Sequence, residues 1–311
     1  MTTLSVIVPI YNEEAVLPET LRRMKELRNM FPADVSLECL YVDDGSTDKS
    51  FFLLQQAADA DASIKVLSFS RNFGHQMAVT AGIDVATGAY VAVIDADLQD
   101  PPELLVDMYS LMLQGQHDVV YGKRAVREGE TWFKKASAAL FYRILSKMCD
   151  IEIPQDTGDF RLMSRKVVDC FKQLRERHRF VRGMVPWLGF SQAPLEYTRH
   201  KRFAGETKYP LRKMLAFAIN AILSFSNKPL TIATRLGFAS IIAAFMGAFG
   251  MLLLKAFTNT PVPGLASIII TIAFFSGIQL FVIGLVGEYV ARIFEESKGR
   301  PLYIVDKKIN V

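Results

Sequence analysis

Cysteine is scarce in this chain: Cys39, Cys149 and Cys170 are odd in number and far apart. They form neither a disulfide framework nor a zinc site, and are read as reduced packing residues. His75, His117, His178 and His200 are equally scattered, which excludes a histidine metal cluster. No glycine-rich turn follows the first apolar run, where Pro9-Ile10-Tyr11-Asn12-Glu13-Glu14 stands instead. No Gly-Lys-Ser/Thr loop occurs either. A dinucleotide-binding turn and a phosphate loop are both excluded, because each brings backbone directly onto phosphate. A net charge of +4 on 311 residues is too small to mark a nucleic-acid partner. There is no internal repeat and no low-complexity segment. Met1-Thr2-Thr3 lacks a basic flank and Leu4 to Ile10 is short, so no signal peptide is expected.

Charge is also missing from one region. The chain is 50% hydrophobic, but residues 1–210 carry charges throughout, whereas 230–290 carry almost none. Leu236 to Leu254 is an uncharged run of about 19 residues, and Leu265 to Gly287 one of about 23. Each suffices to cross a bilayer core, which needs roughly 20 helical residues. Arg199, Lys201, Arg202, Lys208, Arg212 and Lys213 precede the first run, and Arg292, Lys298, Arg300, Lys307 and Lys308 follow the second. The connector from Phe257 to Gly264 has no charge. Positive flanks are cytoplasmic, so both termini are expected inside and the connector outside. The expected organisation is a cytoplasmic domain over 1–210, a juxtamembrane amphipathic segment over 211–229, two transmembrane helices over 230–290, and a basic tail over 291–311. The amphipathic segment either lies on the membrane surface or packs on the first domain. Gly237, Gly247, Gly250, Gly277, Gly284 and Gly287 allow close helix packing, from which a homo-oligomer is expected.

Within the first domain, strands and helices alternate. Strands are predicted at Leu4–Ile10, Leu37–Val42, Ile64–Ser68, Tyr90–Ile94 and Val119–Tyr121. Helices are predicted at Val16–Met30, Lys49–Ala58, Gln76–Ala86 and Pro102–Gln114. Such alternation gives an α/β fold with a mainly parallel sheet and helices on both faces. Ligands then bind beyond the carboxyl ends of strands. Unusual polar residues stand there: Tyr11-Asn12-Glu13, Asp43-Asp44-Gly45-Ser46, and Asp95-Ala96-Asp97. Alternation puts Asp95 and Asp97 on one side if strand geometry persists. Two such carboxylates suit a divalent metal that also holds a diphosphate. The plainer reading is two solvated aspartates capping the helix that Pro101-Pro102 opens; the other polar strand ends favour the metal.

The runs Val8-Pro9-Ile10-Tyr11-Asn12-Glu13, Asp43-Asp44-Gly45-Ser46-Thr47-Asp48 and Asp95-Ala96-Asp97-Leu98-Gln99-Asp100-Pro101 occur in the order found in family-two glycosyltransferases of the GT-A fold. Thr157-Gly158-Asp159-Phe160-Arg161-Leu162 and Arg202-Phe203-Ala204-Gly205-Glu206-Thr207-Lys208-Tyr209 match as well. With the membrane hairpin, essentially the whole chain resembles polyprenyl-phosphate glycosyltransferases, most of all the bactoprenol glucosyltransferases of O-antigen modification, relatives of dolichol-phosphate mannose synthase. The resemblance implies a GT-A nucleotide-sugar-binding domain followed by a two-helix transmembrane hairpin in the inner (plasma) membrane. It implies inverting transfer of a hexose, glucose from UDP-glucose, to undecaprenyl phosphate, with Mg²⁺ or Mn²⁺ as cofactor.

On the same basis Pro9, Tyr11 and Glu13 line the nucleoside pocket, Asp43 holds base or ribose, and Asp44 caps the Gly45-Ser46 turn. Asp95, Asp97 and Gln99 hold the metal, which makes Asp97 catalytic. Asp159 is placed as the base, with a salt bridge to Arg161 as its structural alternative. Arg124, Lys135 and Arg143 are assigned to the acceptor phosphate, and Arg202 and Lys208 to the donor diphosphate. His75, near a helix start, is a cap, a donor contact or a participant in the chemistry. Another nucleotide sugar, such as a mannose donor or a different UDP-sugar, and a non-catalytic membrane scaffold are the alternatives. A processive polysaccharide synthase would carry Gln-x-x-Arg-Trp, which is absent.

Overall fold

The computed structural model describes residues 2–127, 154, 157–199, 223, 226–257 and 264–311. Lys135, Arg143, Cys149, Asp156, Arg202, Lys208 and the segment 211–222 lie outside the described residues. Two compact units are present. Among the described residues, the first holds those up to 199 together with Arg300–Val311, and the second holds those from 223 to Gly299.

The first unit is built on β1 (Thr2–Ile10), which lies parallel to both β2 (Val35–Asp43) and β4 (Tyr90–Val93). Leu4 to Ile10 is buried without interruption, so β1 reads as one apolar run, as a strand covered on both faces must. Leu4, Val6, Val8 and Ile10 join a core with α1 (Leu17–Arg28), α2 (Ser50–Ala60) and α4 (Leu104–Gly115), contributed by Met24, Leu54 and Met108 among others. The opposite face meets α3 (His75–Val85). A Cβ at Gly82 would stand 2.3 Å from Ile7 Cγ2, so glycine sets how closely α3 approaches β1.

Among the described residues, eight strands form one sheet in the order β7-β5-β6-β4-β1-β2-β3-β8. Here β3 is Ile64–Phe69, β5 Val119–Arg127, β6 Thr157–Ser164, β7 Gln192–Arg199 and β8 Val305–Ile309. The sheet is mainly parallel, as expected, but two strands make it mixed. β6 runs antiparallel to β4 and β5, and β8 antiparallel to β3. The periodicity of β6 conceals it, because its buried run includes Asp159 and Arg161. Two short helices, α5 (Arg165–Gln173) and α6 (Val181–Trp187), separate β6 from β7.

The segment expected as a basic tail over 291–311 divides. Its first part ends the second apolar helix; its last part is strand β8 of the sheet. Tyr303 stacks on Phe69 with ring centroids 5.1 Å apart and donates to Asp84 Oδ2 at 2.7 Å. Asn310 Nδ2 donates to the carbonyls of Ala58 and Ile64 at 3.0 and 2.9 Å. These contacts cover the edge of β3, which would otherwise be open to pairing with another chain.

The second unit consists of α7 (Lys228–Phe257) and α8 (Leu265–Ser297), which contact one another. They contain the two uncharged runs and are long and apolar enough to cross a membrane. Phe245 is 73% exposed and Leu280 70%. Water-facing side chains of that size forgo about 1.5–3 kcal/mol each relative to burial, so these helices need an apolar surrounding.

Gly82→Val should overpack the α3–β1 contact. The expected loss is about 1–3 kcal/mol of stability, read as a lower unfolding midpoint with the fold retained.

Candidate active site

The loops after β1 and β2 are interlocked. Asn12, at φ 54, accepts from Thr47 N at 2.8 Å through Oδ1, while its own N–H donates to Ser46 Oγ at 3.0 Å. Glu13 N donates to Ser50 Oγ at 2.9 Å. Gly45, at φ +67, lies against the Arg71 backbone, where a Cβ would stand 2.4 Å from the carbonyl carbon. Only glycine satisfies both that turn and that approach. Pro9 is buried in β1, whereas Tyr11 is exposed beyond it.

The turn cap expected of Asp44 is made by Asp43. Asp43 Oδ1 accepts from Ser46 N at 3.1 Å, and its Oδ2 from the Ser68 hydroxyl at 2.7 Å. Asp44 instead accepts from Phe73 N at 2.7 Å and Gly74 N at 2.9 Å, ordering the approach to α3. The reason is reach: a side chain at the first turn position bonds a donor three residues on. Burial raises the Asp44 carboxyl, partly offset by those two N–H groups.

β4 ends at Val93, before the acidic pair, so strand alternation does not set the directions of Asp95 and Asp97. The chain turns instead, with Leu98 at φ 55 and Gln99 N donating to Asp97 Oδ1 at 3.2 Å. Thr20 of α1 fixes the loop through its hydroxyl, 3.0 Å from the Ala96 carbonyl.

The β4–β6 register pairs Val93 with Arg161. Asp95 lies two residues beyond that pair, past the end of β4, and the Asp159 charge of β6 opposes its ionisation. Like charges brought close are destabilising. His75 Nε2 lies between them, 3.1 Å from Asp159 Oδ2 and 3.6 Å from Asp95 Oδ1. Asp159 is buried, and Arg182 Nε and Nη2 reach its two oxygens at 3.0 and 3.3 Å. Gln76 Nε2 donates to Asp159 Oδ2 at 3.3 Å, and Gln76 Oε1 accepts from Val181 N at 2.8 Å. The starts of α3 and α6 therefore converge on this carboxylate.

Burial opposes ionisation of Asp159, but Arg182 and His75 outweigh it and hold the carboxyl well below the usual range. Burial also opposes charge on His75, yet the Asp159 bond and the Asp95 and Asp159 charges push it up to about 9. Asp95 is raised by burial, with Asp159, Asp97 and Asp100 adding to the shift and His75 opposing it. Arg161 is not the ion partner of Asp159. Its guanidinium donates to backbone carbonyls, including Gly158 O at 3.1 Å and Asp159 O at 3.3 Å.

Arg124 reaches Asp100, with Nη2 3.5 Å from Oδ2. Its neighbour Lys123 pairs with Glu196 at 2.7 Å. Of the remaining basic residues expected at the site, Lys135, Arg143, Arg202 and Lys208 fall outside the described residues. Gln76, Arg182, Tyr197 and Arg199 join the site without a local signal that marks them, since each is brought in by tertiary pairing, whereas His75, singled out in the sequence, joins it beside Asp159.

The acidic pair fits a divalent cation in one respect. Asp95 Oδ1 is buried without a hydrogen-bond partner, which is costly unless a cation meets it. Among the described residues, no group of three or more His, Cys, Asp or Glu side chains could hold a metal by itself. A cation here would share its ligands with a bound molecule.

Residues 5–171 match the family model described as glycosyl transferase family 2. The chain is 50% identical over 307 residues to an uncharacterized glycosyltransferase, YkcC, of Bacillus subtilis, covering 99% of this chain and 94% of that one. It is 44% identical to an uncharacterized glycosyltransferase of Synechocystis, covering 97% and 94%. It is 38% identical to the bactoprenol glucosyl transferase of Shigella phage SfV, covering 97% of each.

Arg182→Ala should leave Asp159 buried without its bidentate partner, a loss of about 3 kcal/mol at neutral pH. Because the folded carboxyl is depressed, its contribution is complete above the unfolded value of about 3.9 and disappears as pH falls through the folded one. Denaturant titrations of both proteins should show the full deficit at neutral pH and a smaller one well below pH 4.

Proposed function

The chain belongs to glycosyl transferase family 2, and on that premise we propose that it transfers glucose from UDP-glucose to undecaprenyl phosphate on the cytoplasmic face of the membrane. One observation carries the reading. An acidic loop with a buried carboxylate oxygen that accepts no hydrogen bond sits beyond the parallel strands, in a chain that also has two helices apolar enough to cross a bilayer. The near end-to-end likeness to bactoprenol glucosyl transferases supports the choice of sugar and acceptor. The product supplies a lipid-linked sugar for envelope glycan modification.

In this proposal Pro9, Tyr11, Glu13 and Asp43 receive the nucleoside. Both Asp43 oxygens already accept protein donors, so a nucleoside contact uses their second lone pairs. Arg202 and Lys208 meet the donor diphosphate, and Arg124, Lys135 and Arg143 the acceptor phosphate. Asp95, Asp97 and Gln99 would hold Mg²⁺ or Mn²⁺, which neutralises charge on the departing diphosphate. An acceptor phosphate oxygen bonds to the anomeric carbon as that carbon's bond to the UDP β-phosphate oxygen breaks. The electron pair leaves with UDP, and the carbon is inverted. A phosphate monoester has its second pKa near 6, so at neutral pH it attacks as an anion with no proton to lose. A carboxylate bound by Arg182, His75 and Gln76 is a weak base. Asp159 instead holds His75 and Arg182 beside the reacting phosphates.

Purified protein given undecaprenyl phosphate and a panel of nucleotide sugars should label the lipid from UDP-glucose. Asp97→Asn should lower that rate by roughly 100-fold or more without changing the unfolding midpoint, and chelation should do the same. Full turnover in excess EDTA would refute the metal assignment, and transfer from another nucleotide sugar alone would replace glucose.

The proposed topology puts Asn259 outside the cell and Lys307 inside. A cysteine at position 259 should react with an impermeant thiol reagent on intact cells, and one at position 307 should not. The reverse pattern overturns the cytoplasmic active site.

A further inference from the structure

Asp100 closes the acidic loop and is fully buried. Tyr197 donates its hydroxyl to Asp100 Oδ1. Arg199 Nε lies 3.5 Å from that oxygen, and Arg124 Nη2 lies 3.5 Å from Oδ2. Arg124 Nε donates to the Tyr197 hydroxyl at 3.3 Å. Among the described residues, one carboxylate thus faces two guanidiniums, leaving a local surplus of one positive charge. Both ion pairs are too long or too poorly aligned for hydrogen bonds. Arg199 Nε and Asp100 Oδ2 are buried with no hydrogen-bond partner.

The surrounding chain is shaped to this cluster. A Cβ on Gly158 would stand 2.5 Å from Arg124 Nη2. One on Gly122 would stand 2.9 Å from the Tyr197 ring, which also meets Phe160 edge-on at 5.9 Å. Two glycines therefore leave the space that Arg124 and Tyr197 fill. The Arg199 side chain is 25% exposed while Asp100 is closed to solvent, so an anion arriving from water can meet Arg199. The cluster is in electrostatic range of the acidic pair, since Asp95 responds to the Asp100 charge and Arg124 to that of Arg182.

Resting on the transfer reaction above, we propose that Arg199 is a further contact for the acceptor's phosphate monoester, beside Arg124, and that Asp100 and Tyr197 are positioning residues for the two guanidiniums. Guanidinium forks match phosphate oxygens and retain their charge at any working pH. A surplus buried cation with unspent donors is costly until an anion meets it. The monoester supplies both charge and acceptors. The donor diphosphate has the same chemistry, so the test separates the two.

Full-length protein in nanodiscs is titrated with farnesyl phosphate and, separately, with UDP-glucose, and turnover is followed at varied undecaprenyl phosphate. Arg199→Ala should weaken farnesyl phosphate binding and raise the lipid KM by about tenfold or more, with kcat changed far less. UDP-glucose binding should stay within about twofold. Arg199→Lys should recover part of the loss, and Tyr197→Phe should raise the lipid KM by a smaller factor. Tyr197→Phe, which removes one oxygen atom, keeps the question open to test if Arg199→Ala fails to fold. Unchanged prenyl phosphate binding in both variants overturns the inference, as does a loss confined to UDP-glucose. Wild-type protein that binds farnesyl phosphate through Arg199 but transfers no sugar refutes the reaction and leaves the site standing.

Discussion

Repulsion among carboxylates governs how the catalytic unit is assembled. Asp95, Asp97, Asp100 and Asp159 converge where β4 runs out and β6 begins, and Asp95 responds to the charge of all three others. Two like charges 4 Å apart repel by about 4 kcal/mol at the effective dielectric of a protein surface. The fold answers with cations from four separate elements: His75 from α3, Arg182 from α6, Arg124 from β5 and Arg199 from β7. An all-parallel sheet would not bring them together in this way. The antiparallel entry of β6 between β4 and β5 brings Asp159 to the end of β4, where His75 lies near both it and Asp95, and the parallel β5–β7 pair carries Arg124 and Arg199 to the same carboxylate.

That arrangement has a consequence for the proposed chemistry. Donor and acceptor are both anions, so an empty site must be ready for negative charge without being unstable before it arrives. Asp159 and Asp100 serve as internal counter-ions that keep guanidinium and imidazole groups in place. Charge is already oriented when a ligand binds, and little reorganisation is left for the reaction itself. The carboxylates nearest the reacting phosphates then need not be bases.

Most of the central sheet was legible in the sequence because it is the part covered on both faces. β1 and β2 read as largely apolar runs, interrupted at Ser5 and at Glu38, and α1 shows Leu17, Met24 and Leu27 at helical spacing. β6 and β7 were not legible. β6 buries Asp159 and Arg161, and β7 alternates buried Ala193 and Tyr197 with exposed residues around Pro194. Strand β8 follows a long apolar helix, where basic residues read as a tail. At the site, the motifs located Asp95, Asp97 and Asp159 but not their partners. Arg182 belongs to Asp159 only because Gln76 bonds Val181 and so fixes α6 against α3. No local pattern encodes that. That Asp43 rather than Asp44 caps the turn is equally invisible, since adjacent aspartates differ only in which backbone donors the turn presents.

The order of the two units along the chain bears on how a lipid acceptor is used. The apolar helices interrupt the catalytic unit's sequence rather than follow it, because β8 lies beyond them and still belongs to the sheet. The catalytic unit is thus joined through the chain to both ends of the apolar helix pair. A single flexible linker lets a tethered domain explore a volume that grows with linker length, and dilutes it accordingly. Two attachments narrow that search. On the proposed reading the acceptor phosphate is restricted to the membrane surface while the nucleotide sugar is free in solution. Confinement therefore raises the effective concentration of the one substrate that cannot diffuse to the enzyme in three dimensions. The pre-paired cations then have to distinguish that acceptor phosphate from the diphosphate that arrives from solution.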